Sequence, residues 1–360
     1  MADAAADPAL AAALAAALAP PRAYGAPVAH ALVRAAAGDF LVEEELGFAP
    51  AGAGTHLLLR VRKIDANTAW VAGQLARLAG CRAHDVGYAG LKDRRAIAVQ
   101  WFSVPRARAA AELAGARGEG FEVLEAHAHS RKLPRGALAG NRFTLRLRTA
   151  PGAGEALAAR LAARLAVIGT RGVPNYFGPQ RFGRAGANLR PARDGAGHGR
   201  TERGLRLSAA RSVVFNALLA ARVADGSWER LLAGDVANLD GRGSVFPVES
   251  ADETLAARCA RLEIHPTGPL WGRGPPPTGG AVLALERRVG ADFPAQCALC
   301  ESAGMRAERR SLRLRVAALA CEAEPDAAVL RFRLTRGSFA TAVLRELVEA
   351  PDALGEQDQA

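Results

Sequence analysis

The 360-residue sequence predicts an α+β protein with a mainly antiparallel sheet flanked by helices and interrupted by a helix-containing insertion. Three observations support this fold class. Segments in which apolar and polar residues alternate occur near both ends of the chain, as in strands that bury one face. Segments with helical spacing lie between them. After Gly172, glycine, proline and arginine become frequent, and the alternation returns only at about Leu312.

The predicted strands are short runs in which apolar and polar residues alternate, except residues 97–104, which are rich in β-branched and aromatic residues. In residues 55–62, three apolar side chains share one face and three basic side chains share the other. The other predicted strands are residues 97–104, 121–124, 141–148, 312–316 and 330–334.

The first predicted helix has clear end signals, since Asn67 or Thr68 can cap its start and Gly80 can end it. The other predicted helices are residues 155–168, 208–223, 228–232 and 340–349. Residues 268–280 form a low-complexity loop rich in proline and glycine.

The order of these elements predicts one discontinuous domain, residues 21–171 and 314–360, around an insertion of residues 172–313. Residues 1–20 form an Ala-rich tail, helical or disordered, that we expect to be dispensable. Its Ala/Leu tract, residues 9–19, is too short to span a bilayer and has no basic leader, so it does not fit a signal peptide.

The chain has a strong basic excess. It contains 47 Lys+Arg residues against 36 Asp+Glu residues, a net charge of +11. Such an excess favours a polyanionic partner, although a genome biased toward arginine produces the same excess. Arginines alternate along several predicted strands, which fits either a phosphate-binding surface or the ordinary solvent side of an antiparallel sheet.

Lysine is rare in this chain. Lys63, Lys92 and Lys132 are its only lysines, and the remaining cations of the Lys+Arg count are arginine. A lysine retained against such a bias indicates a local need for a compact point charge rather than a planar guanidinium.

The cysteines predict reduced thiols. Their odd number in a long chain without a signal peptide is typical of a cytoplasmic protein. Cys297 and Cys300 form a Cys-x-x-Cys pair, but zinc needs two more ligands at matching spacing, and only Cys321 follows. We therefore expect ordinary thiols and no metal site.

Residues 87–104 carry the densest concentration of functional groups. Asp93 stands between Lys92 and the pair Arg94 and Arg95, in a turn that precedes an apolar strand. Neighbouring positive charge favours the ionised carboxylate that a nucleophile or base requires. The alternative is a turn aspartate that satisfies local backbone amides.

The run Ala-Gly-Leu-Lys-Asp, residues 89–93, resembles the central motif of the TruD family of tRNA pseudouridine synthases. Four further segments resemble the same family in the same order: residues 38–47, 131–143, 172–183 and 337–341. The family has a catalytic domain split by a helical insertion. The resemblance therefore implies the pseudouridine synthase catalytic fold for the discontinuous domain and a TRUD insertion domain between its parts.

The resemblance also implies an activity. The family isomerises a flipped-out uridine of tRNA to pseudouridine, usually at position 13 in the D arm, and it needs no metal or cofactor. Asp93 is then the catalytic nucleophile, either attacking ribose C1′ or assisting by proton removal at C2′. The implied partner is tRNA, and we expect a cytoplasmic monomer without a membrane or protein partner.

Motif matching assigns the substrate-binding residues as Phe40, Asn141, Phe339, Phe143, Lys92 and Arg34. The amide of Asn141 suits the donor and acceptor edge of uracil, and Phe339 suits stacking on a flipped base. The sequence departs from the family pattern at Arg34, where lysine is frequent, and at Ala98, where threonine is frequent. Residues 172–183 suit either RNA contact or the domain junction, and we favour the junction.

Two alternatives remain open at this point. One is a protein that binds and remodels tRNA without chemistry. The other is a hydrolase that pairs Asp93 with Glu43, Glu44 or Glu45. Paired-carboxylate catalysis needs a defined separation, and a run of three glutamates is more typical of a solvated face.

Overall fold

The computed structural model describes residues 8–106, 110–189 and 199–350, and the chain divides into two compact units. The helical unit comprises Met1–Val28, Ala166–Val316 and Ser338–Val348. The sheet unit comprises Ala29–Leu165, Ala317–Gly337 and Glu349–Ala360. The assignment of a catalytic domain and an insertion domain stays a prediction, and its parts in residues 107–109, 190–198 and 351–360 lie outside the described residues, as do residues 1–7 of the predicted tail.

The described helices are α1 (Pro8–Leu18), α2 (Thr68–Ala79), α3 (Ala110–Leu113), α4 (Gly154–Arg171), α5 (Arg200–Ala224), α6 (Glu253–Ala260), α7 (Gly280–Ala291), α8 (Pro294–Ser302) and α9 (Ala340–Leu347). The described strands are β1 (Ala29–His30), β2 (Phe40–Glu45), β3 (His56–Ile64), β4 (Gly87–Tyr88), β5 (Ile97–Pro105), β6 (Arg117–Gly118), β7 (Phe121–His129), β8 (Gly140–Arg148), β9 (Val173–Pro174), β10 (Val236–Leu239), β11 (Val245–Pro247), β12 (Ile264–Leu270), β13 (Glu308–Ser311), β14 (Arg313–Leu314), β15 (Ala317–Glu324), β16 (Ala327–Thr335) and β17 (Val348–Glu349).

A nine-stranded sheet forms the sheet unit. Its strand order is β15-β16-β8-β2-β5-β3-β7-β6, and β4 pairs with β5. Within it only β2 and β5 pair in parallel, among the strands that the structure describes. This arrangement confirms the predicted α+β class with a mainly antiparallel sheet, and β3, β5, β7, β8 and β16 fall where the sequence predicts strands.

Helix α2 packs on one face of this sheet. The Asn67 side-chain oxygen accepts the Ala69 amide at 2.9 Å, and Gly80 ends the helix with a φ of 67°, as the sequence predicts. Val71 and Leu75 of the helix are buried in a cluster with Val61 of β3. The cluster does not include the part of the same face that β2 and β8 form.

The arginines that alternate along β3, β8 and β16 are paired with carboxylates. The pairs are Arg60–Glu125, Arg62–Glu122, Arg142–Glu45, Arg146–Glu324, Arg148–Asp39, Arg331–Glu322 and Arg333–Glu45. Apart from Arg148–Asp39, whose carboxylate is buried, these pairs are at least partly exposed and contribute little stability, at most about 1 kcal/mol each. They do balance the charge, which favours the ordinary solvent-side interpretation of the strand arginines over a phosphate-binding surface.

Glu45 links three neighbouring strands. Its carboxylate on β2 accepts hydrogen bonds from Arg142 on β8 and from Arg333 on β16. Burial acts to raise the pKa of Glu45, but the hydrogen bonds from the two arginines outweigh it, so the pKa is lowered. The ionised Glu45 carboxylate therefore helps to hold β2, β8 and β16 together.

Helix α5 is the centre of the helical unit. Its residues Val213, Phe215 and Leu219 are buried, and helices α7 and α8 pack beside it. A four-stranded sheet, β11-β10-β12-β13, lies in the segment where the sequence predicts only helices and loops. Strand β12 contains Pro266 and Pro269, which interrupt the alternation by which a strand is recognised.

Three further predictions in the helical unit are wrong in detail. Residues 228–232 form a turn after α5 rather than a helix, because the Trp228 amide donates to the Arg222 carbonyl oxygen at 3.0 Å. The low-complexity loop begins later than predicted, since β12 includes residues 268–270. Arg313 is buried rather than solvent-facing, and its guanidinium donates to His265 Nδ1 at 3.1 Å.

The N-terminal segment is helical, and it packs rather than forming a tail. Ala17 of α1 is fully buried, and Leu10, Leu14 and Leu18 pack against the α5 cluster. The Asn216 side-chain amide donates to the Ala17 carbonyl oxygen at 3.2 Å. These contacts argue against a dispensable segment.

One described helical stretch, Glu202–Ala224 in α5, is long and apolar enough by composition to cross a membrane. However, 56% of its apolar window is buried inside the protein, as in a core helix. The stretch is therefore weak evidence for a membrane span.

Deletion of residues 1–19 should destabilise the protein. Removing the partly buried leucines and Ala17 should lower the free energy of unfolding by about 2–4 kcal/mol, because each buried aliphatic group contributes on the order of 1 kcal/mol. Thermal and denaturant unfolding measure the change. The matched control is Ala12→Ser with Ala16→Ser, both exposed, in the full-length chain. Equal unfolding midpoints for the deletion and the full chain would show that the segment is dispensable.

Candidate active site

Asp93 lies in the sheet unit on the loop between β4 and β5. Its side chain is 27% exposed, and Oδ2 accepts a hydrogen bond from the Arg34 guanidinium at 2.7 Å. A charge-assisted hydrogen bond is stronger than a neutral one, so it orients the carboxylate. The carboxylate is thus held in place and still accessible to a ligand.

Arg34 occupies an unusual backbone position. Its φ is 64°, in the left-handed region, which costs a residue other than glycine about 1–3 kcal/mol. Its guanidinium lies 4.1 Å from the centre of the Phe40 ring, a cation–π geometry, as well as contacting Asp93. The fold thus tolerates backbone strain at the residue that fixes Asp93.

Four buried polar side chains lie on one face of the sheet beneath this loop. Asn141 on β8 pairs in register with Glu44 on β2, and Gln100 and Lys63 follow on β5 and β3, the next strands of the sheet. All four side chains are buried. Buried polar groups need partners, so each one is informative about what it holds.

Gln100 and Thr68 hold the backbone of the loop. The Gln100 amide donates to the Gly90 carbonyl oxygen at 2.6 Å and accepts from the Thr68 hydroxyl at 3.2 Å. The Thr68 oxygen accepts the Lys92 amide at 3.1 Å. Buried hydrogen bonds of this type each contribute about 0.5–1.5 kcal/mol, and here they fix two points of the loop.

Lys63 holds the loop from below. Its ammonium donates to the Asp93 carbonyl oxygen at 2.7 Å and to the Ala66 carbonyl oxygen at 2.8 Å. Burial lowers the pKa of Lys63 to about 8, with the nearby Lys92 charge adding to this effect and the Asp93 charge opposing it. The backbone of the Asp93 loop is therefore bound by a buried ammonium group.

Glu44 is inside the protein, contrary to the solvated face expected of the glutamate run. Its Oε1 pairs with Lys92 Nζ at 2.7 Å, and its Oε2 accepts the Trp101 amide at 2.9 Å. The hydrophobic strand periodicity explains this, because Phe40, Val42 and Glu44 share the buried face of β2. Contact between Lys92 and a substrate stays a prediction, and in this structure the ammonium is bound to Glu44.

The carboxylates also bear on the hydrolase alternative. Glu44 is committed to Lys92, and Glu43 and Glu45 point to the other face of the sheet, where they pair with Arg60 and Arg142. None of the three glutamates is available as a second catalytic carboxylate beside Asp93. The geometry gives this alternative no support.

Asn141 has an unused acceptor. Its side-chain Oδ1 is buried and has no hydrogen-bond partner within the described residues. A buried amide oxygen without a partner is costly, about 1–3 kcal/mol, and such groups are rare in folded proteins. The oxygen therefore marks a place where a ligand N–H can bind.

Phe40 and Phe143 are mostly enclosed. Phe40 is 2% exposed and meets Phe143 edge to face, with ring centres 6.1 Å apart. Phe143 stacks on Phe332 of β16 at 5.4 Å. The Arg34 guanidinium lies over the Phe40 ring. Substrate contacts by both rings stay predictions, and their contacts here support Arg34 and the sheet core.

Phe339 belongs to the helical unit. It precedes α9, its ring centre lies 6.1 Å from that of Phe177, and the Arg181 guanidinium lies 5.6 Å from the ring centre. Asn216 binds both the amide and the carbonyl oxygen of Phe177. These contacts give residues 172–183 a structural role inside the unit, whereas the role at the domain junction that we favoured from the sequence stays a prediction. The stacking of Phe339 on a base stays a prediction.

Exposed cations surround the Asp93 loop. Arg94 and Arg95 are exposed on the loop itself. The Gly136 amide donates to the Ala89 carbonyl oxygen at 2.7 Å, which joins the loop region to a second exposed segment. This segment carries Arg131, Lys132 and Arg135.

The partners of two of these cations are neutral. The Lys132 ammonium donates to the His84 carbonyl oxygen at 2.6 Å, and the Arg135 guanidinium lies 3.7 Å from the centre of the Tyr88 ring. In contrast to the strand arginines, these charges are not matched by carboxylates in those contacts. They form the part of the sheet unit best suited to phosphates.

The cysteines are unpaired thiols. Burial raises the pKa of Cys297 to about 12 and that of Cys300 to about 11, so neither is an activated thiolate. Among the described residues, no group of three or more His, Cys, Asp and Glu side chains is arranged to hold a metal ion.

Sequence reasoning identified the loop but missed its supports, Lys63, Glu44, Gln100 and Thr68. Only Lys63 carried a signal, as one of three lysines in an arginine-rich chain. Gln100 lies in an apolar strand, where its polarity could have attracted attention. Side-chain periodicity alone cannot show which polar residues a distant loop will cover.

The sequence was compared with known proteins. The family described as tRNA pseudouridine synthase D (TruD) matches residues 23–190 and 201–347. Relatives named tRNA pseudouridine synthase D include one from Nitrosococcus oceani, 46% identical over 93% of this chain and 95% of that protein. Another, from Methylococcus capsulatus, is 46% identical over 91% of this chain and 94% of that protein.

A solved structure agrees on the fold. A crystal structure from Methanosarcina mazei, described as TruD, superposes with a TM-score of 0.69 and 18% identity, covering 93% of this chain and 97% of that one. At this identity the likeness concerns the fold alone. The family match and the sequence identity to the curated relatives go further, and they show that the chain belongs to the TruD family of tRNA pseudouridine synthases.

Proposed function

We propose that this protein isomerises uridine to pseudouridine in tRNA, at position 13 of the D arm, with Asp93 as the nucleophile. The observation that carries the proposal is the accessible carboxylate of Asp93, bound to Arg34 and mounted on a loop that buried polar groups hold. A nucleophile needs this combination of access and fixed orientation. The names of the curated relatives support the substrate class.

The chemistry conserves all atoms. An Asp93 carboxylate oxygen bonds to ribose C1′ as the C1′–N1 bond breaks, and the bonding electrons leave with uracil. Uracil turns so that C5 faces C1′, and the new C1′–C5 bond displaces the carboxylate. C5 then loses its proton and N1 gains one, so no oxidant, reductant or other reactant is needed.

Asn141 and the aromatic rings serve the base in this proposal. The Asn141 Oδ1 accepts from uracil N3–H, which satisfies the acceptor that is unused in the structure. Phe40 and Phe143 form the apolar wall behind Asn141, and Phe339 stacks on the extruded base. Arg34 and Lys92 complete the pocket around the Asp93 loop.

The proposed substrate also implies a cellular location and a set of partners. We place the protein in the cytoplasm as a monomer that acts on tRNA without a membrane or protein partner. Lys132 and Arg135 contact phosphates, because both are exposed and because their partners in these contacts are neutral.

Asp93→Asn should abolish turnover and leave tRNA binding intact. Loss of the nucleophile should reduce kcat by at least about 10³-fold, since an amide cannot form the ribose bond. Release of tritium from uridine C5 measures turnover, and filter binding measures affinity. Asp85→Asn, at a carboxylate whose side chain is 30% exposed, is the matched control. Retained turnover in Asp93→Asn would contradict the nucleophile, and a wild-type protein that binds tRNA without turnover would indicate a remodelling function.

Isotope substitution separates the two routes for Asp93. Attack at C1′ leaves the C2′ hydrogen in place, so deuterium at C2′ of the target uridine should not change the single-turnover rate. Proton removal at C2′ would instead give a primary isotope effect. A clear slowing with the deuterated tRNA would replace direct attack with elimination.

Arg34 should contribute through its charge. Arg34→Ala removes a charge-assisted hydrogen bond worth about 1.5–3 kcal/mol, so kcat should fall by about 10–100-fold. Arg34→Lys keeps the charge and should recover most of that loss. Single-turnover rates with saturating tRNA measure the effect, and unfolding midpoints check the fold. An alanine variant with the wild-type rate would remove Arg34 from the site.

Salt dependence tests the phosphate contacts. The double variant Lys132→Ala with Arg135→Ala should bind tRNA more weakly, and its slope of log affinity against log salt should be shallower by about 1–2. Arg62→Ala with Arg331→Ala removes the same charge from ion-paired strand positions and should change the slope little. Equal effects of the two double variants would contradict a localised RNA surface.

A further inference from the structure

Lys63 has an unusual environment for a cation. Its side chain is completely buried, and its ammonium faces three backbone carbonyl oxygens. These belong to Asp93 at 2.7 Å, Ala66 at 2.8 Å and Lys92 at 3.5 Å. An ammonium has three donor hydrogens and no acceptor, so three converging acceptors match its chemistry.

Enclosing this charge is costly. Within the described residues Lys63 takes part in no ion pair, and its contacts are neutral carbonyl groups. Burial of a cation without a paired carboxylate disfavours the charged form, and this lowers the pKa of Lys63 to about 8. A residue that served stability alone would be better replaced by an apolar side chain of similar size.

The choice of lysine over arginine fits the geometry. This chain uses arginine for nearly all of its cations, yet lysine stands at position 63. A guanidinium directs its five donors outward in one plane, and it cannot direct them onto three carbonyl oxygens that surround one point. A compact ammonium can.

We propose that Lys63 is a positioning residue for Asp93, which it holds through the backbone of residues 92 and 93. Its ammonium fixes the carbonyl oxygens of these two residues, and this sets the direction in which the Asp93 side chain leaves the loop. Lys63 does not contact the reacting atoms, because its donors are occupied beneath the loop. This inference rests on the proposed function of Asp93.

The first test compares kcat with KM. Lys63→Met keeps the length of the side chain but removes the donors, and kcat should fall about 100-fold, as misplacement of a reacting group by about 1 Å can cause. KM for tRNA should change by less than about threefold, because the RNA contacts lie elsewhere. Lys63→Arg should also lose activity, because charge without the right geometry does not hold the loop. Arg62→Met, at an exposed, ion-paired arginine of the same strand, should keep the wild-type kcat.

The second test is the pH profile of kcat. Because the pKa of Lys63 is lowered to about 8, the ammonium is intact below that pH and is lost as pH rises through it. Wild-type kcat should therefore fall from pH 7 to pH 9. The charged groups facing Lys63 are Asp93, Lys92 and Asp65, and all are retained in the variants. The alkaline decline should be absent from Lys63→Met and Lys63→Arg, whose groups at position 63 do not titrate in this range.

The outcomes are distinguishable. Lower kcat with unchanged KM, a wild-type unfolding midpoint and loss of the alkaline decline support the positioning role. A Lys63→Met variant with wild-type kcat, or a wild-type profile that is flat to pH 9, overturns it. Activity that falls only in proportion to the folded fraction also overturns it. If Asp93→Asn stays active, the proposed function itself has failed; if Asp93→Asn is inactive and Lys63→Met is normal, only the inference about Lys63 has failed.

Discussion

The site depends on one constraint: a loop without regular secondary structure must present a carboxylate at a fixed angle. The protein meets this constraint from below, with side chains from the sheet. Gln100 binds the loop at Gly90, and Lys63 binds it at Asp93. The bonds to the loop are made mainly to its backbone. These backbone bonds place the carboxylate without using its oxygens, and the separate bond to Oδ2 comes from Arg34.

Charged side chains make different contacts on the two faces of the same sheet. On the buried face, charges are few and each has a defined contact, such as Glu44 with Lys92. On the opposite face, arginines and glutamates pair across neighbouring strands, and Glu45 joins two such pairs. The net charge of +11 is thus a poor guide to the RNA surface. Lys132 and Arg135 are better candidates, because the contacts that they make with His84 and Tyr88 are neutral.

Much of the fold could be predicted from the sequence, since the strands of the large sheet and helix α2 have clear periodicity and end signals. Strand β12 could not, because its prolines conceal the alternation. The burial of Glu44 and Arg313 was also unpredictable, as each depends on partners distant in the sequence, Lys92 and His265. The loop with Asp93 was found by motif. Its support by Lys63 required knowledge of which strand lies under which loop.

The parallel pairing of β2 and β5 has a consequence for how the protein forms. Strand β2 is central, and both its neighbours, β5 and β8, come from much later in the sequence, so closing these contacts carries a large entropic cost. Strand β16, which pairs with β8 next to Asn141, comes still later in the sequence. Local hairpins such as β6 with β7 can form early, but the arrangement around Asp93 requires strands that are far apart in the sequence. A nascent chain on the ribosome therefore cannot complete the arrangement around Asp93 before β16 has been synthesised.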